Sequence, residues 1–268
     1  MNKYLQSYLH SFHAGKEFWY HLLIDIITTG LIGSLLYIFN TILNAQMARV
    51  TGGKSVEQLR TALLAGSLEY NQAFASNFKV FVVLFIGGLI IAILGVFIIL
   101  GVSRAKIWSS LMKEQHQKLL WGKWSLLLFL LTLSAIPYLL LVALFRLLLN
   151  PLLSTVLLSQ IFNAFFFLLF VLFMVLVKYS FVEKKKVWEA IGYSFFLIKH
   201  HFSALLKSFI FIILTSVILS FFFYLLEITL LKYQSELTLA FINLGFFLVL
   251  LAWMRRFLIS VLERPSNL

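Results

Sequence analysis

The residues of this chain that could carry out chemistry are ionisable side chains placed within long apolar stretches. Asp25 lies in the first such stretch, and Arg255 and Arg256 lie at a similar depth in the last. A charge inside a bilayer costs roughly 2.5 to 3.5 kcal/mol even on lenient scales, and an opposite charge at the same depth lowers that cost. We therefore predict an ion pair that joins the first and last membrane helices. A structural role for this pair is favoured over a proton or ion relay.

A second ion pair is predicted near the other face of the membrane. Arg146, near the end of the third apolar stretch, and Glu227, near the end of the fifth, reach comparable depths. Neutral polar side chains gather in the same half, where they either line an outward-open pocket or bond across packed helices, the latter being favoured. The predicted pocket residues are Asn40, Gln160, Asn163, Tyr224 and Asn243.

Signatures of catalysis and of metal binding are missing from the sequence. The chain has no cysteine, which excludes disulfides, thiolate catalysis and cysteine metal sites. It contains no nucleophile elbow, phosphate-binding glycine loop or metalloprotease helix. His10 and His13 share a helical face and His200 and His201 are adjacent, but neither pair has carboxylates at ligand spacing. We therefore expect no enzyme activity, no cofactor and no metal site.

The elements that must position these residues are membrane-spanning helices. The chain is 62% hydrophobic and 12% charged, whereas soluble domains are about 25% charged. Backbone groups in a bilayer must be bonded internally, and the alternation typical of barrel strands is absent, so we predict an all-α fold with six transmembrane helices. Their predicted ranges are Phe18 to Leu43, Val80 to Val102, Ser125 to Leu149, Pro151 to Val177, Ser208 to Thr229 and Leu237 to Ile259. The first stretch is longer than the core of a signal peptide, and we expect it to be retained.

The distribution of lysine and arginine predicts the orientation of these helices. With both termini in the cytoplasm, 16 of the 22 lysines and arginines lie on the inner side, as the positive-inside rule requires. We therefore predict a multi-pass protein of the cytoplasmic membrane with both termini inside. The pI near 9.9 follows from this topological charge and does not indicate a nucleic-acid partner.

An internal repeat groups the six helices into three tandem hairpins within a single membrane domain, 1–268. The segment Lys106–Trp108 returns as Lys186–Trp188, and each precedes an outgoing helix, a short outer turn and a returning helix. The predicted repeat units span about residues 1–102, 103–181 and 182–262. Successive units have the same orientation, which does not match the inverted repeats of many alternating-access transporters.

Each hairpin is preceded by a segment that we predict to be an amphipathic helix in the inner interface, including Tyr4 to Phe12 at the N-terminus. Apolar side chains recur there every three or four residues, with basic side chains on or beside that stripe. Basic side chains near the surface gain about 1 kcal/mol each from anionic lipid, although such charges also occur in plain loops that only set topology. The predicted contacts with anionic lipid are Arg104, Lys106, Trp108, Lys113, Lys118, Lys184, Lys185, Lys186 and Trp188.

The outer loop between the first two membrane helices, residues 44–78, is predicted to contain a short helix. Ser55 and Gln58 have the spacing of a capping box, and Gly52 and Gly53 precede it as a flexible connection. This helix is a lid, a partner-binding element or an ordinary connection, and the last interpretation is favoured.

The lead-in to the third hairpin carries a short pattern of residues, namely Trp188, Glu189, Ala190, Ser194, Leu197, Lys199 and His200. It resembles a group of uncharacterised prokaryotic six-helix membrane proteins that includes the membrane domain attached to some glycerophosphodiester phosphodiesterases. The resemblance covers mainly residues 184–262 and implies a similar architecture. No catalytic phosphodiesterase domain is present in this sequence, so the resemblance does not imply that activity.

Two functions from different classes fit these features. The first is a non-enzymatic envelope protein that organises or senses lipid, with membrane lipids, above all anionic ones, as its partners. The second is a transporter or channel for a small or amphiphilic molecule, which needs a water-filled path lined by Gln160, Asn163 and Asn243. A dry, tightly packed centre favours the first. The sequence leaves open whether the chain also binds another protein or a second copy of itself.

Overall fold

Eight α-helices make up the part of the chain that the structure describes. The structure is a computed structural model, and it describes residues 6, 8, 9, 11, 12, 15–112, 120–149, 155–230 and 236–262. In chain order the helices are α1 (Lys16–Thr51), α2 (Val56–Ala65), α3 (Leu68–Leu111), α4 (Trp121–Leu148), α5 (Val156–Lys184), α6 (Val187–His200), α7 (Phe202–Leu230) and α8 (Glu236–Leu262). All except α2 and α6 contain a stretch long and apolar enough to cross a membrane. The prediction of an all-α chain with six membrane-length helices is confirmed.

Helices α1 and α3 are longer than the apolar stretches predicted for them. Because α1 continues to Thr51 and α3 begins at Leu68, the predicted loop at residues 44–78 consists largely of helix. Between them, α2 begins with the predicted capping box. The Ser55 side chain accepts a hydrogen bond from the backbone N–H of Gln58, and the Gln58 side chain accepts one from the backbone N–H of Ser55. These reciprocal bonds satisfy two donors at the helix start.

The chain divides into two compact units. The first comprises Met1–Ile26 together with Gly101–Leu268, and the second comprises Ile27–Leu100. This division does not follow the three predicted repeats, because the second and third repeat units both lie within the first compact unit. The grouping into three tandem hairpins stays a prediction.

Close helix packing in the second unit depends on small residues of α3. A Cβ atom at Gly88 would lie 2.6 Å from the ring of Phe39 on α1, and one at Gly95 would lie 2.8 Å from the side chain of Leu35. Ala92, which lies between the two glycines on the same face, is buried. Glycine at these positions lets the two helices approach closely, as small residues do between membrane helices.

The core of the first unit is aromatic where α3 and α5 end and α4 begins. Trp108 and Trp124 stack with their ring centroids 6.3 Å apart, and Phe181 meets Trp124 edge-on at 4.7 Å. All three side chains are buried. We call this end of the first unit the basic end. Helices α1, α4 and α7 begin there, and helices α3, α5 and α8 end there.

The N-terminal stretch packs against α7 and α8 of the first unit. The hydroxyl of Tyr8 lies 2.8 Å from that of Thr215, and the Tyr8 ring stacks on Phe211 at 4.7 Å. Ser11 accepts a hydrogen bond from the indole N–H of Trp253 at 2.9 Å. The predicted interfacial position is wrong for Tyr8, because its side chain bonds within the helix bundle. Residues 4 and 5 of the same predicted stripe lie outside the described residues.

The predicted interfacial helix before the second hairpin does not form as a separate element in the residues that the structure describes. Residues 104–111 continue α3 without a break. Lys113 and Lys118 lie outside the described residues. The third hairpin differs, because a short turn separates α5 from its lead-in helix α6. α6 packs mainly against α5 and also contacts α4 and α7.

The turn between α5 and α6 depends on Lys185. This residue adopts φ 56° and ψ 8°, in the left-handed region, and its N–H donates to the carbonyl oxygen of Phe181 at 2.8 Å to close α5. A residue with a Cβ loses roughly 1 to 2 kcal/mol in this conformation, whereas glycine does not. The carbonyl of Lys185 also accepts a hydrogen bond from Nζ of Lys123 on α4 at 3.5 Å.

We expect Lys185→Gly to be more stable than Lys185→Ala by about 1 kcal/mol, because both lack the lysine side chain and only alanine keeps a Cβ. Thermal unfolding of the two purified variants in one detergent measures the difference. At Lys184, the last residue of α5, the same two substitutions should give the opposite order, since glycine destabilises a helix. Equal stability of the two Lys185 variants would contradict the role of this turn.

Candidate functional site

A buried charge cluster at the basic end joins four helices of the first unit. Asp25 of α1 accepts hydrogen bonds from Arg104 of α3 and Arg255 of α8, one on each carboxylate oxygen. Asp25 is 2% exposed and Arg255 is 5% exposed. Lys178 of α5 is half-buried and lies within electrostatic range of all three. The sequence predicts the pairing of Asp25 with Arg255, and the structure adds Arg104 and Lys178 to it.

These four residues share one level because each lies about two helical turns from the basic end of its helix. Asp25 follows the start of α1, and Arg104, Lys178 and Arg255 precede the ends of α3, α5 and α8 by similar distances. At 1.5 Å per residue the cluster lies roughly 10 Å from the helix ends. Sequence reasoning missed Lys178 because it counted that lysine with the loop charges. Comparison of depth across every helix end would have found it.

The cluster offers more hydrogen-bond donors than acceptors. Arg255 donates through Nε to the carbonyl oxygen of Leu251 at 3.3 Å and through Nη2 to Asp25. Its Nη1 is buried and has no hydrogen-bond partner among the described residues. The same holds for Nε2 of His21, whose side chain is also buried. An arrangement of unused donors suits an anion, since phosphate and carboxylate oxygens accept from guanidinium groups.

Arg256 and Glu17 lie at the edge of the cluster. Both are within electrostatic range of His21. Arg256 is half-buried, and Glu17, in the first turn of α1, is exposed. The ion pair between α1 and α8 that the structure shows is made by Arg255. Within the described ranges no group of three or more histidine and acidic side chains could hold a metal ion.

The two tryptophans related by the predicted repeat occupy opposite environments. Trp108 is 0% exposed and stacks on Trp124, whereas Trp188, at the start of α6, is 73% exposed. The prediction that Trp108 contacts lipid is wrong, because α3 continues past it and directs the indole into the core. Contact between Trp188 and lipid stays a prediction, which its exposure permits.

The predicted basic contacts with lipid also separate into two groups. Arg104 keeps 17% of its side chain exposed but directs its guanidinium group into the bundle toward Asp25. Lys106 is exposed, as are all three lysines of the segment 184–186. Lys186 pairs with the exposed Glu189 at 2.6 Å. Such a surface pair contributes about 0 to 1 kcal/mol, so it does not prevent Lys186 from contacting lipid.

Lys184 and Glu183, at the end of α5, both contact Tyr193 of α6. Nζ of Lys184 lies 4.1 Å from the centroid of the Tyr193 ring, which is a cation–π contact. Burial, together with the charge and hydrogen bond of Glu183, raises the pKa of Tyr193 from its usual 10.0. The hydroxyl therefore stays protonated at neutral pH and donates to Glu183, which ties α6 to the end of α5.

Arg146 and the predicted pocket residues do not belong to the buried charge cluster. Nη2 of Arg146 donates to Oγ of Ser159 at 3.1 Å. The side chain of Glu227, its predicted partner, lies outside the described part of the chain. The predicted pocket residues are all exposed, namely Asn40, Gln160, Asn163, Tyr224 and Asn243.

An apolar cavity of about 580 Å³ lies between α4, α5, α6 and α7. The polar side chains in its wall are Ser134, which donates to the carbonyl oxygen of Leu131 at 2.7 Å, and Tyr138, which donates to that of Phe166 at 2.5 Å. Phe195 is both a wall residue and exposed on the bundle surface, so the cavity opens outward. The remaining wall residues are Leu130, Leu131, Leu169, Phe170, Leu172, Phe173, Leu176, Ile191, Ile198, Phe202, Leu205, Leu206 and Phe209. The sequence carries no signal for this cavity, because each wall residue also fits ordinary helix packing.

No protein family, curated protein or solved structure matches this chain. Its class therefore follows from the geometry. The chain fits a multi-pass α-helical membrane protein whose first unit contains an apolar cavity and a buried, cation-rich cluster.

Proposed function

We propose that this chain is a non-enzymatic lipid-organising or lipid-sensing protein of the cytoplasmic membrane, with both termini in the cytoplasm and an anionic phospholipid as its partner. The observation that carries the proposal is the apolar cavity beside α6. Its volume lies in the usual range of ligand pockets, about 300 to 1,000 Å³. An acyl chain suits this cavity better than water does, because the wall is almost wholly apolar and its two hydroxyls already donate to backbone carbonyls.

Charge beside the cavity favours an anionic headgroup on that acyl chain. Lys199 and Lys207 are exposed and adjoin the wall residues Ile198 and Leu206 in the chain. The three lysines of the segment 184–186 lie at the turn that leads into α6. Each basic side chain near an anionic membrane surface contributes about 1 kcal/mol. The positive-inside rule places these residues at the inner leaflet, which carries the anionic lipids.

Transport is the weaker alternative for this geometry. A channel or carrier for a polar solute needs wall groups that replace the hydration of the solute. The cavity wall instead is apolar, and its hydroxyls already bond backbone carbonyls. The resemblance of residues 184–262 to the membrane domain attached to some glycerophosphodiester phosphodiesterases remains a proposal about architecture.

Replacing Lys184, Lys185 and Lys186 together by glutamine is expected to reduce the preference of the reconstituted protein for anionic lipid. At lipid sites that all three lysines reach, the loss is up to about 3 kcal/mol. Electron paramagnetic resonance of spin-labelled phosphatidylglycerol and phosphatidylcholine in the same bilayers measures the fraction of each lipid held at the protein surface. The ratio of the two fractions should move toward one.

The matched control is a variant with Lys54→Gln and Lys79→Gln, two exposed lysines of the second unit. It removes the same kind of charge outside the α5–α6 turn and should keep the preference for phosphatidylglycerol. A preference that is unchanged in the triple variant would remove anionic lipid from the proposed function.

A further inference from the structure

The buried charge cluster of α1, α3, α5 and α8 is short of negative charge. Both oxygens of Asp25 already accept from a guanidinium group, one from Arg104 and one from Arg255. Lys178 lies within electrostatic range of both arginines and of Asp25, so three basic side chains share one carboxylate. Uncompensated charge within a membrane bundle is costly, and residues that carry it there usually pair or bind a ligand. A further anion at this place would balance the cluster.

Two buried nitrogen atoms at the cluster are available to such an anion. Nη1 of Arg255 and Nε2 of His21 have no hydrogen-bond partner in the part of the chain that the structure describes. Both side chains are more than nine-tenths buried. A buried polar atom left without a partner costs about 1 to 3 kcal/mol, and more when it is charged. The planar guanidinium group also presents its N–H groups in the geometry that phosphate and carboxylate oxygens accept.

We propose that Arg255, Lys178 and His21 bind the oxygen atoms of one phosphate group. Arg255 donates through Nη1, Lys178 through its ammonium group, and His21 through Nε2 in the tautomer that carries a proton there. Asp25 positions Arg255 by accepting from Nη2, which leaves Nη1 for the ligand. The partial exposure of Arg104 and Lys178 connects the cluster to the bundle surface.

This site is distinct from the apolar cavity and does not depend on the proposed lipid function. A phospholipid headgroup and a free anion offer the same phosphate chemistry to these donors. A lipid would reach the cluster from the membrane surface, where the helix ends lie roughly 10 Å away. A free anion would reach it from water. The two sources can be separated by the choice of probe.

The test compares the purified full-length chain with Lys178→Gln in a neutral detergent. The Tm is measured against increasing inorganic phosphate, and separately against dioleoyl phosphatidic acid with dioleoyl phosphatidylcholine as the zwitterionic control. We expect one of the two anionic probes to raise the Tm saturably, and the apparent Kd to weaken about tenfold in Lys178→Gln, which corresponds to about 1.4 kcal/mol. Lys79→Gln removes an exposed lysine of the second unit and should respond as the wild type does.

A second variant separates loss of binding from loss of folding. Arg255→Lys keeps the positive charge beside Asp25 but removes the planar pair of donors, and it should also weaken binding. Saturation by phosphatidic acid alone assigns the anion to a lipid headgroup, and saturation by inorganic phosphate assigns it to a free anion. The site is overturned if neither probe raises the Tm saturably, or if both variants respond as the wild type does. The glutamine variant of lysines 184–186 should keep the response, which separates this site from the proposed lipid selectivity.

Discussion

Asp25→Asn is expected to destabilise the folded protein by about 3 to 5 kcal/mol, the usual loss when one partner is removed from a buried ion pair. Asp25 is the acceptor for both Arg104 and Arg255. Its replacement leaves two guanidinium groups within the bundle without their counter-charge. Because asparagine has nearly the same shape as aspartate, the loss reports charge and not packing. Titration with denaturing detergent in mixed micelles measures the free energy of unfolding.

The matched control is Glu189→Gln at the surface. Glu189 also accepts from a basic side chain, Lys186, but 52% of its side chain is exposed. Exposed ion pairs contribute about 0 to 1 kcal/mol, so this variant should be close to the wild type. If Asp25→Asn lost less than about 1 kcal/mol as well, Asp25 would not be the counter-charge that the geometry indicates. Addition of an anion that binds Arg255 should restore part of the free energy of unfolding that Asp25→Asn removes.

Trp108→Ala should destabilise the protein by about 3 to 5 kcal/mol, the range for removal of a large aromatic side chain from a packed core. Trp108 is fully buried and stacks on Trp124, and Phe181 packs on the other ring of that pair. Alanine would leave a cavity between α3, α4 and α5. Trp108→Phe should lose less, because the indole N–H has no hydrogen-bond partner within the described residues.

Trp188→Ala provides the comparison for that prediction. Trp188 occupies the equivalent position in the predicted repeat, but most of its side chain is exposed. Its replacement should change the free energy of unfolding by about 0.5 kcal/mol or less, as surface substitutions usually do. Similar losses in the two alanine variants would contradict the different environments of the two indoles. Unfolding of both variants under the same conditions makes the comparison direct.

Much of the fold could be predicted because the relevant signals are local. The membrane-length helices follow from hydropathy, and the capping box at Ser55 and Gln58 follows from a spacing of three residues. The pairing of Asp25 with Arg255 also follows from simple geometry, since both residues lie at similar depth in their helices. Helix ends were predicted less well, because polar residues extend α1 and α3 beyond their apolar stretches. Hydropathy indicates which residues lie in the bilayer, but it does not indicate where a helix ends.

The candidate sites could be predicted only in part. Lys106–Trp108 and Lys186–Trp188 have nearly the same sequence, yet one segment continues α3 and the other leads into α6. That difference depends on Lys185, whose left-handed conformation ends α5. The two segments of similar sequence therefore differ in burial, and the indole of Trp108 lies in the core instead of at the lipid surface.

Hydropathy and helical periodicity were sufficient to predict a membrane environment, the number of long helices and the depth of the charged residues within them. Each of these is a property of a short stretch of chain. The shared use of Asp25 by two arginines, the approach of Lys178 and the cavity beside α6 required the packed structure. These features arise where helices far apart in the chain meet. Their crossing angles and contacts depend on all the side chains at the interface and not on any one segment.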